Sequence, residues 1–250
     1  MWKTIGSSLC ALLLYGSTPN SDVLRVPSGE HEQFEYMINA PIIGTIGSVV
    51  WEYKARGLAL RSEFTVETTS PLVTSFTKSN YTKIVSINVY NKGKLQLKKY
   101  RYEEKEKNEE LKFGLLFQRN KTECKKQTGD ELVAISCKGE PDGKAPGLFA
   151  LLAAVTYVDD LEARVKEKNE EYAYYSRGKA KITLEKEGKK VVEVGDKSFL
   201  LVMYNVKNIG NLLKEEDIGV KVGLRETHPH FMEYAEIKVG SVTLTVKRKQ

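Results

Sequence analysis

Apolar and polar residues alternate with a period of two along most of this chain. Leu58, Leu60, Phe64 and Val66 share one parity while Arg61, Glu63, Thr65 and Glu67 hold the other, the pattern of a strand with one face in a core and one in water. Leu95 and Leu97 alternate with Lys94, Gln96 and Lys98. Past Lys98-Lys99 the apolar parity moves by one residue to Tyr100 and Tyr102, which predicts a β-bulge. The same period recurs at Ala180, Ile182 and Leu184, at Val220, Val222 and Leu224, and at Ala235, Ile237 and Val239. The last run continues through Gly240-Ser241 into Val242, Leu244 and Val246, as a hairpin closed by a two-residue turn would. Further hairpin turns are predicted at Asn91-Lys92-Gly93, Lys186-Glu187-Gly188-Lys189 and Asn208-Ile209-Gly210-Asn211. Phe199 to Tyr204 is apolar throughout and predicts a strand buried on both faces.

Two segments break the period in favour of helix. Ser70-Pro71-Leu72-Val73 places an N-cap residue before a proline at the first helical position. From Pro146 to about Tyr157, Leu148, Leu151, Leu152, Val155 and Val158 recur at spacings of three and four, an apolar helix suited to covering one opening or face of a sheet. The predicted fold class is mainly β. It is a curved antiparallel sheet, or a partly open β-barrel or sandwich, with one apolar covering helix and one short helix.

With 41% hydrophobic and 29% charged residues in 250, this is a folded chain with material for a sizeable core. One β-rich domain is expected over residues 22–250, and the only candidate internal boundary is near 138–145. The net charge of +6 arises from interleaved signs, as in Glu103-Glu104-Lys105-Glu106-Lys107, which read as solvated faces. Aromatic and basic residues do not interleave into a base-stacking platform, so no nucleic-acid partner is expected.

The N-terminus adds a compartment. Met1-Trp2-Lys3 precedes an uncharged, mostly apolar run from Ile5 to Tyr15, the layout of a secretory signal over residues 1–21. The run falls short of the roughly 20 apolar residues that cross a bilayer. A buried N-terminal helix and an uncleaved anchor are the alternatives. The signal reading makes the protein periplasmic or otherwise exported, with no permanent membrane span once the signal is removed. It also removes Cys10 and leaves Cys124 and Cys137 on either side of the turn signal Thr128-Gly129-Asp130-Glu131. A disulfide between them would add about 3 kcal/mol; two free thiols are the alternative.

Catalytic chemistry has little support. There is no Gly-x-Ser-x-Gly elbow, phosphate loop or His-Glu-x-x-His. Glu226, His228 and His230 could act with Asp159 or Asp160 if the fold brought them together, but no third metal ligand is identifiable, so neither metal nor cofactor is expected. Whether the chain is an enzyme is uncertain, and a non-enzyme is the stronger reading. Tyr172 and Tyr174 would share one face of a strand and pack there.

The order of features resembles a family. The strand pair from Phe34 to Tyr53, the Ser70-Pro71-Leu72-Val73 segment, the strand from Gly93 to Glu103, the helix near Pro146 and the closing hairpin resemble exported bacterial proteins of the domain-of-unknown-function family numbered three thousand one hundred and eight. The best motif is Leu95-Gln96-Leu97-Lys98-Lys99-Tyr100-Arg101-Tyr102. The resemblance implies a periplasmic β-rich protein without an assigned activity, and it carries over no catalytic residue.

Two functions follow as expectations. The first is non-enzymatic binding of a lipid or another apolar or amphiphilic ligand inside the curved sheet, against Leu58, Leu60, Phe64, Leu95, Leu97 and Leu152. The second is an envelope assembly or interaction protein that docks onto another envelope protein through a sheet edge or the apolar helix.

Overall fold

The computed structural model describes residues 24–68, 80–106, 109–118, 121–128, 131–135, 144–167, 170–175, 178–207 and 218–249. Signal residues 1–21, the helix signal at Ser70-Pro71-Leu72-Val73, the turn at Asn208-Ile209-Gly210-Asn211 and Cys137 lie outside the described residues.

Eight strands come first: β1 (His31–Ala40), β2 (Gly44–Arg56), β3 (Ala59–Thr68), β4 (Tyr81–Asn91), β5 (Lys94–Glu106), β6 (Glu109–Gln118), β7 (Lys121–Thr128) and β8 (Glu131–Ile135). Helices α1 (Leu148–Val155) and α2 (Leu161–Glu167) follow, then β9 (Glu170–Tyr175), β10 (Gly178–Val194), β11 (Lys197–Lys207), β12 (Ile218–Arg225), β13 (Met232–Val239) and β14 (Val242–Arg248). All the strands join one antiparallel sheet in the order β8-β7-β6-β5-β4-β3-β2-β1-β14-β13-β12-β11-β10-β9. Each half is a run of hairpins, and the first and last strands close the middle through pairs such as Tyr36 with Arg248 and Ile38 with Val246.

The curvature follows from the helix. α1 touches β3 and β4 on one side and β9 on the other. From β3 to β9 the sheet order takes eight steps, which would span about 38 Å in a flat sheet at ~4.8 Å per strand. The eight residues of α1 extend only about 12 Å. The sheet must therefore curl round the helix, and it remains an open sheet whose outer strands are β8 and β9.

Turn chemistry sets the register. Lys92 and Gly93, both with positive φ (50° and 75°), connect β4 to β5 as a two-residue turn of the primed kind. Gly240 (φ 57°) begins the turn between β13 and β14. The bulge expected at Lys98-Lys99 is present: Asn88 faces Leu97 and Ile87 faces Lys99, so Lys98 is the extra residue. The hairpin expected at Lys186-Glu187-Gly188-Lys189 is not formed. β10 runs straight through, and its register against β11 shifts between Lys186 and Gly188. Gly188 sits there at φ 153°; a bulge and a turn use the same freedom of glycine, and the long partner strand β11 selects the bulge.

The apolar run on β11 is buried on both faces only from Leu201 to Tyr204; Leu200 is half exposed, paired with the exposed Val191. Val202, Tyr204 and Val206 join the main core, which includes Phe34, Trp51, Tyr53 and the inner side of α1. Leu201 and Met203 join Val192, Val194 and Tyr234 in a second cluster on the other face. Tyr172, on the outer strand β9, is exposed.

Candidate functional site

The sheet's inner face and the two helices enclose a cavity of about 280 Å³. α1 lies over it because both of its ends are tied down. At its start, the buried Asn88 accepts the Gly147 N–H at 2.9 Å through Oδ1 and donates to Ser86 Oγ at 3.0 Å. Gly147 is required sterically, since a Cβ there would lie 2.7 Å from Ser86 Oγ. At its end, the His230 N–H donates to the Thr156 carbonyl at 2.7 Å. The helix's Leu148, Ala150, Leu151, Ala153, Ala154 and Val155 are all buried, so this apolar helix faces its own sheet and does not present a docking surface outward.

The lining is apolar on nearly every side. α1 contributes Leu151 and Leu152, α2 contributes Leu161 and Val165, and the sheet contributes Ile182, Val222, Ala235 and Val246 among others. Phe64 from β3 and Phe149 from α1 stack with ring centroids 3.6 Å apart at the β3 side. Among the described residues, two lining side chains carry strongly polar groups, Tyr36 and Arg164. The Tyr36 hydroxyl donates to the Met232 carbonyl at 3.1 Å, and its burial pushes its pKa well above the ordinary value. Arg164, on α2, is buried and is the one charged residue of the lining among the described residues.

Of the residues expected to face a ligand, Phe64 and Leu152 line the cavity. Leu60, Leu95 and Leu97 are buried and are not among the residues that line it. Leu58 is a correction to the inward set. It occupies the two-residue turn Gly57-Leu58 between β2 and β3 and is 56% exposed, because the alternation it matches begins only where the strand does, at Ala59. Tyr36, Ile38, Val49 and Arg164 were missed. The alternation of Ile182, Val222, Ala235 and Val246 was visible in the sequence, but their convergence depends on β1 pairing with β14.

The histidine segment lies at one end of the sheet. Glu226 is exposed and pairs with Lys189 at 2.5 Å. His228 is exposed, with its ring 6.0 Å from those of Tyr157 and His230. His230 is buried, with Nδ1 2.9 Å from the Arg225 carbonyl, a contact that puts the proton on Nδ1. Asp159 and Asp160 are exposed, and Asp160 Oδ1 caps α2 by accepting the Ala163 N–H at 2.9 Å. Among the described residues no three His, Cys, Asp or Glu side chains are grouped to hold a metal. Beside this segment, the buried Glu233 carboxylate pairs with Arg225 at 2.7 Å and Arg248 at 2.9 Å. Glu233 is the extra residue of a bulge in β13: Gly223 faces Tyr234 and Leu224 faces Met232. The bulge sends Met232 to the cavity and Tyr234 to the opposite cluster.

Cys124 lies on β7, in register with Ile135 of β8. Among the described residues no helix is long and apolar enough to cross a membrane.

No family model matches the chain, and no curated protein matches it. Among solved structures, a β-barrel-like protein of Domain of Unknown Function DUF1849 from Brucella abortus aligns over 90% of this chain and 98% of its own, with a TM-score of 0.47 and 11% identity. LprF from Mycobacterium bovis aligns over 87% of this chain and 84% of its own, with a TM-score of 0.24 and 9% identity. At these scores neither likeness carries an argument about activity.

Proposed function

We propose that the protein is a non-enzymatic envelope protein that binds an apolar or amphiphilic molecule in the cavity between the curved sheet and α1. The observation that carries this reading is the cavity itself: about 280 Å³ with an almost wholly apolar lining, near the lower end of the ~300–1,000 Å³ range of ligand pockets. Native mass spectrometry of protein purified from its own envelope is expected to show an adduct that organic extraction removes. The variant Val222→Phe, which fills the cavity, is expected to lack it. Absence of any adduct, together with no uptake of an apolar fluorophore by the extracted protein, overturns the reading.

Export belongs to the same proposal and rests on the N-terminal apolar run. With it goes the Cys124–Cys137 disulfide. The residue in register with Cys124 is Ile135, so a bridge needs the chain beyond β8 to bring Cys137 back toward β7, within about 7 Å between Cα atoms. Thiol titration of the unfolded, unreduced mature protein is expected to find no free thiol; two would remove the bridge.

Docking of an envelope partner at a sheet edge is the second reading. Its support is that β8 and β9 end the sheet and carry exposed Val133 and Tyr172. Crosslinking from cysteines introduced at these two positions tests it, and failure to recover one specific partner counts against it.

A further inference from the structure

We propose that the end of the sheet carrying the β1–β2 and β13–β14 turns inserts into a lipid interface, with Ile42 and Ile43 as its leading side chains. The proposal goes beyond the cavity reading, and neither depends on the other.

The first observation is a turn that costs the fold stability. Pro41, Ile42 and Ile43 join β1 to β2, and the Ile43 N–H donates to the Pro41 carbonyl at 2.8 Å. Ile42, between them, has φ 71°. A three-residue turn with positive φ at its centre is the strained form, and a β-branched side chain disfavours it further. Ile42 is wholly exposed and Ile43 is 52% exposed, so no packing offsets the strain. Transfer of both side chains from water into an apolar phase would offset it.

The second observation is the lack of charge around this turn. β1 pairs with β14 as far as Asn39 with Thr245, which sets the Gly240-Ser241 turn and the exposed Val242 beside the Ile42 turn. Residues 36–51 and 239–246 contain no Asp, Glu, Lys or Arg, whereas 24 residues at the chain's 29% would carry about seven. Burial accounts only for the inward half of these positions. Met37, Thr45 and Ser48 are exposed, on the face where β3 carries Arg61 and Glu67. An interfacial element sinks roughly 5–10 Å, about two or three residues of strand, so the two hairpins enter without desolvating a charge of their own. Lys238, exposed where the uncharged zone ends, then lies at headgroup level. A specific protein interface takes about 800 Å² from each partner, more than two turns supply. At the opposite end of the sheet the exposed Leu58 is flanked by Arg56 and Arg61, which bars the same insertion there.

The test is co-sedimentation of the purified protein with vesicles of phosphatidylcholine and phosphatidylglycerol in equal parts. Wild type is expected to bind. The double variant Ile42→Asn, Ile43→Ser is expected to bind at least about tenfold more weakly, a factor that burial of one such side chain alone supports. Its melting temperature is expected to stay the same or rise, because Asn accepts a positive φ that Ile resists. Leu58→Asn is expected to leave vesicle binding unchanged. Wild type that stays in solution overturns the proposal. So does a double variant that binds as tightly as wild type, which would place the attachment elsewhere, the N-terminal apolar run included. A melting temperature that falls in the double variant, or an equal loss of binding in Leu58→Asn, overturns it as well, and each of these failures leaves the cavity reading standing.

Discussion

The cavity under α1 and the groove on the opposite face of the sheet are nearly equal in size, about 280 and about 300 Å³, and opposite in chemistry. The groove is lined by Glu187, Lys189, Lys190, Lys221 and Glu236 around Gly188 and Met203. Its charges are already matched, Lys190 with Glu236 at 2.7 Å, Lys221 with Glu187 at 2.6 Å and Lys189 with Glu226 at 2.5 Å. Beneath it the second cluster is tightly closed: a Cβ on Gly223 would come 3.0 Å from both Leu201 Cδ1 and Met203 Sδ. Lys190 and Arg225 cover it by lying over the rings of Tyr234 and Phe199. Under α1, a helix held at both ends bridges the sheet without filling the space below. The difference teaches that a void of useful size is not by itself a site. Paired charges fill one, whereas the described lining of the other is apolar but for Tyr36 and Arg164.

The change expected to blur this contrast most is Glu233→Ala. It removes the carboxylate shared by Arg225 and Arg248 at the bulge that separates Met232 from Tyr234. The expected loss is about 3–5 kcal/mol, read by urea unfolding. A loss below about 1 kcal/mol would show that the bulge is held by backbone pairing alone.

Next come truncations on the two faces. Leu201→Ala, in the closed cluster, is expected to cost about 2–5 kcal/mol. Leu152→Ala, whose side chain already borders empty space, should cost only about 1–2 kcal/mol because fewer contacts are lost. Equal losses in denaturant unfolding would mean that the cavity is not empty in the purified protein.

Alkaline pH gives an effect of about 1–2 kcal/mol, the pKa rise being discounted for solvent screening. Burial pushes Tyr204, on the inner face, up to about 12. The unfolded chain releases this proton near pH 10 and the folded chain does not, so stability is intact below pH 10 and falls as the pH rises from 10 to 12. Tyr204→Phe is expected to make the decline shallower; an unchanged slope would refute the assignment.

The smallest effect is at the groove. Burial pushes the Glu236 carboxyl up, but its hydrogen bond to Lys190, the Tyr234 hydroxyl and the charges of Lys190 and Lys221 outweigh this and hold it below the ordinary 4.5. Its contribution is present above pH 4.5 and lost as the pH falls through the lower folded value. Glu236→Gln should cost under about 1 kcal/mol at pH 7 and less still at pH 3. A larger loss at pH 3 would reverse the sign of the argument.

Much of the inner face was legible from parity, as with Ile182, Val222 and Ala235, because alternation is a local property of a strand. The bulge at Lys98 was legible for the same reason, as a break in parity. The span of α1 could be read from its three-and-four spacing, whereas its attachment through Asn88 and Gly147 could not. Leu58 and Leu200 misled because parity and apolarity do not say where a turn begins or where cover ends. Gly188 misled because a glycine that permits a turn also permits a bulge.

By itself, then, the sequence determined a mainly β chain, most of its strand faces and its covering helix, all set by neighbours a few residues apart. The tertiary structure alone decided that β1 pairs with β14, that the sheet curls far enough for α1 to touch β3 and β9, and that Arg164 borders an apolar cavity. The first of these joins residues more than two hundred positions apart, as Tyr36 with Arg248, and no pattern within a single strand or helix encodes which distant partner will complete its hydrogen bonds and bury its face.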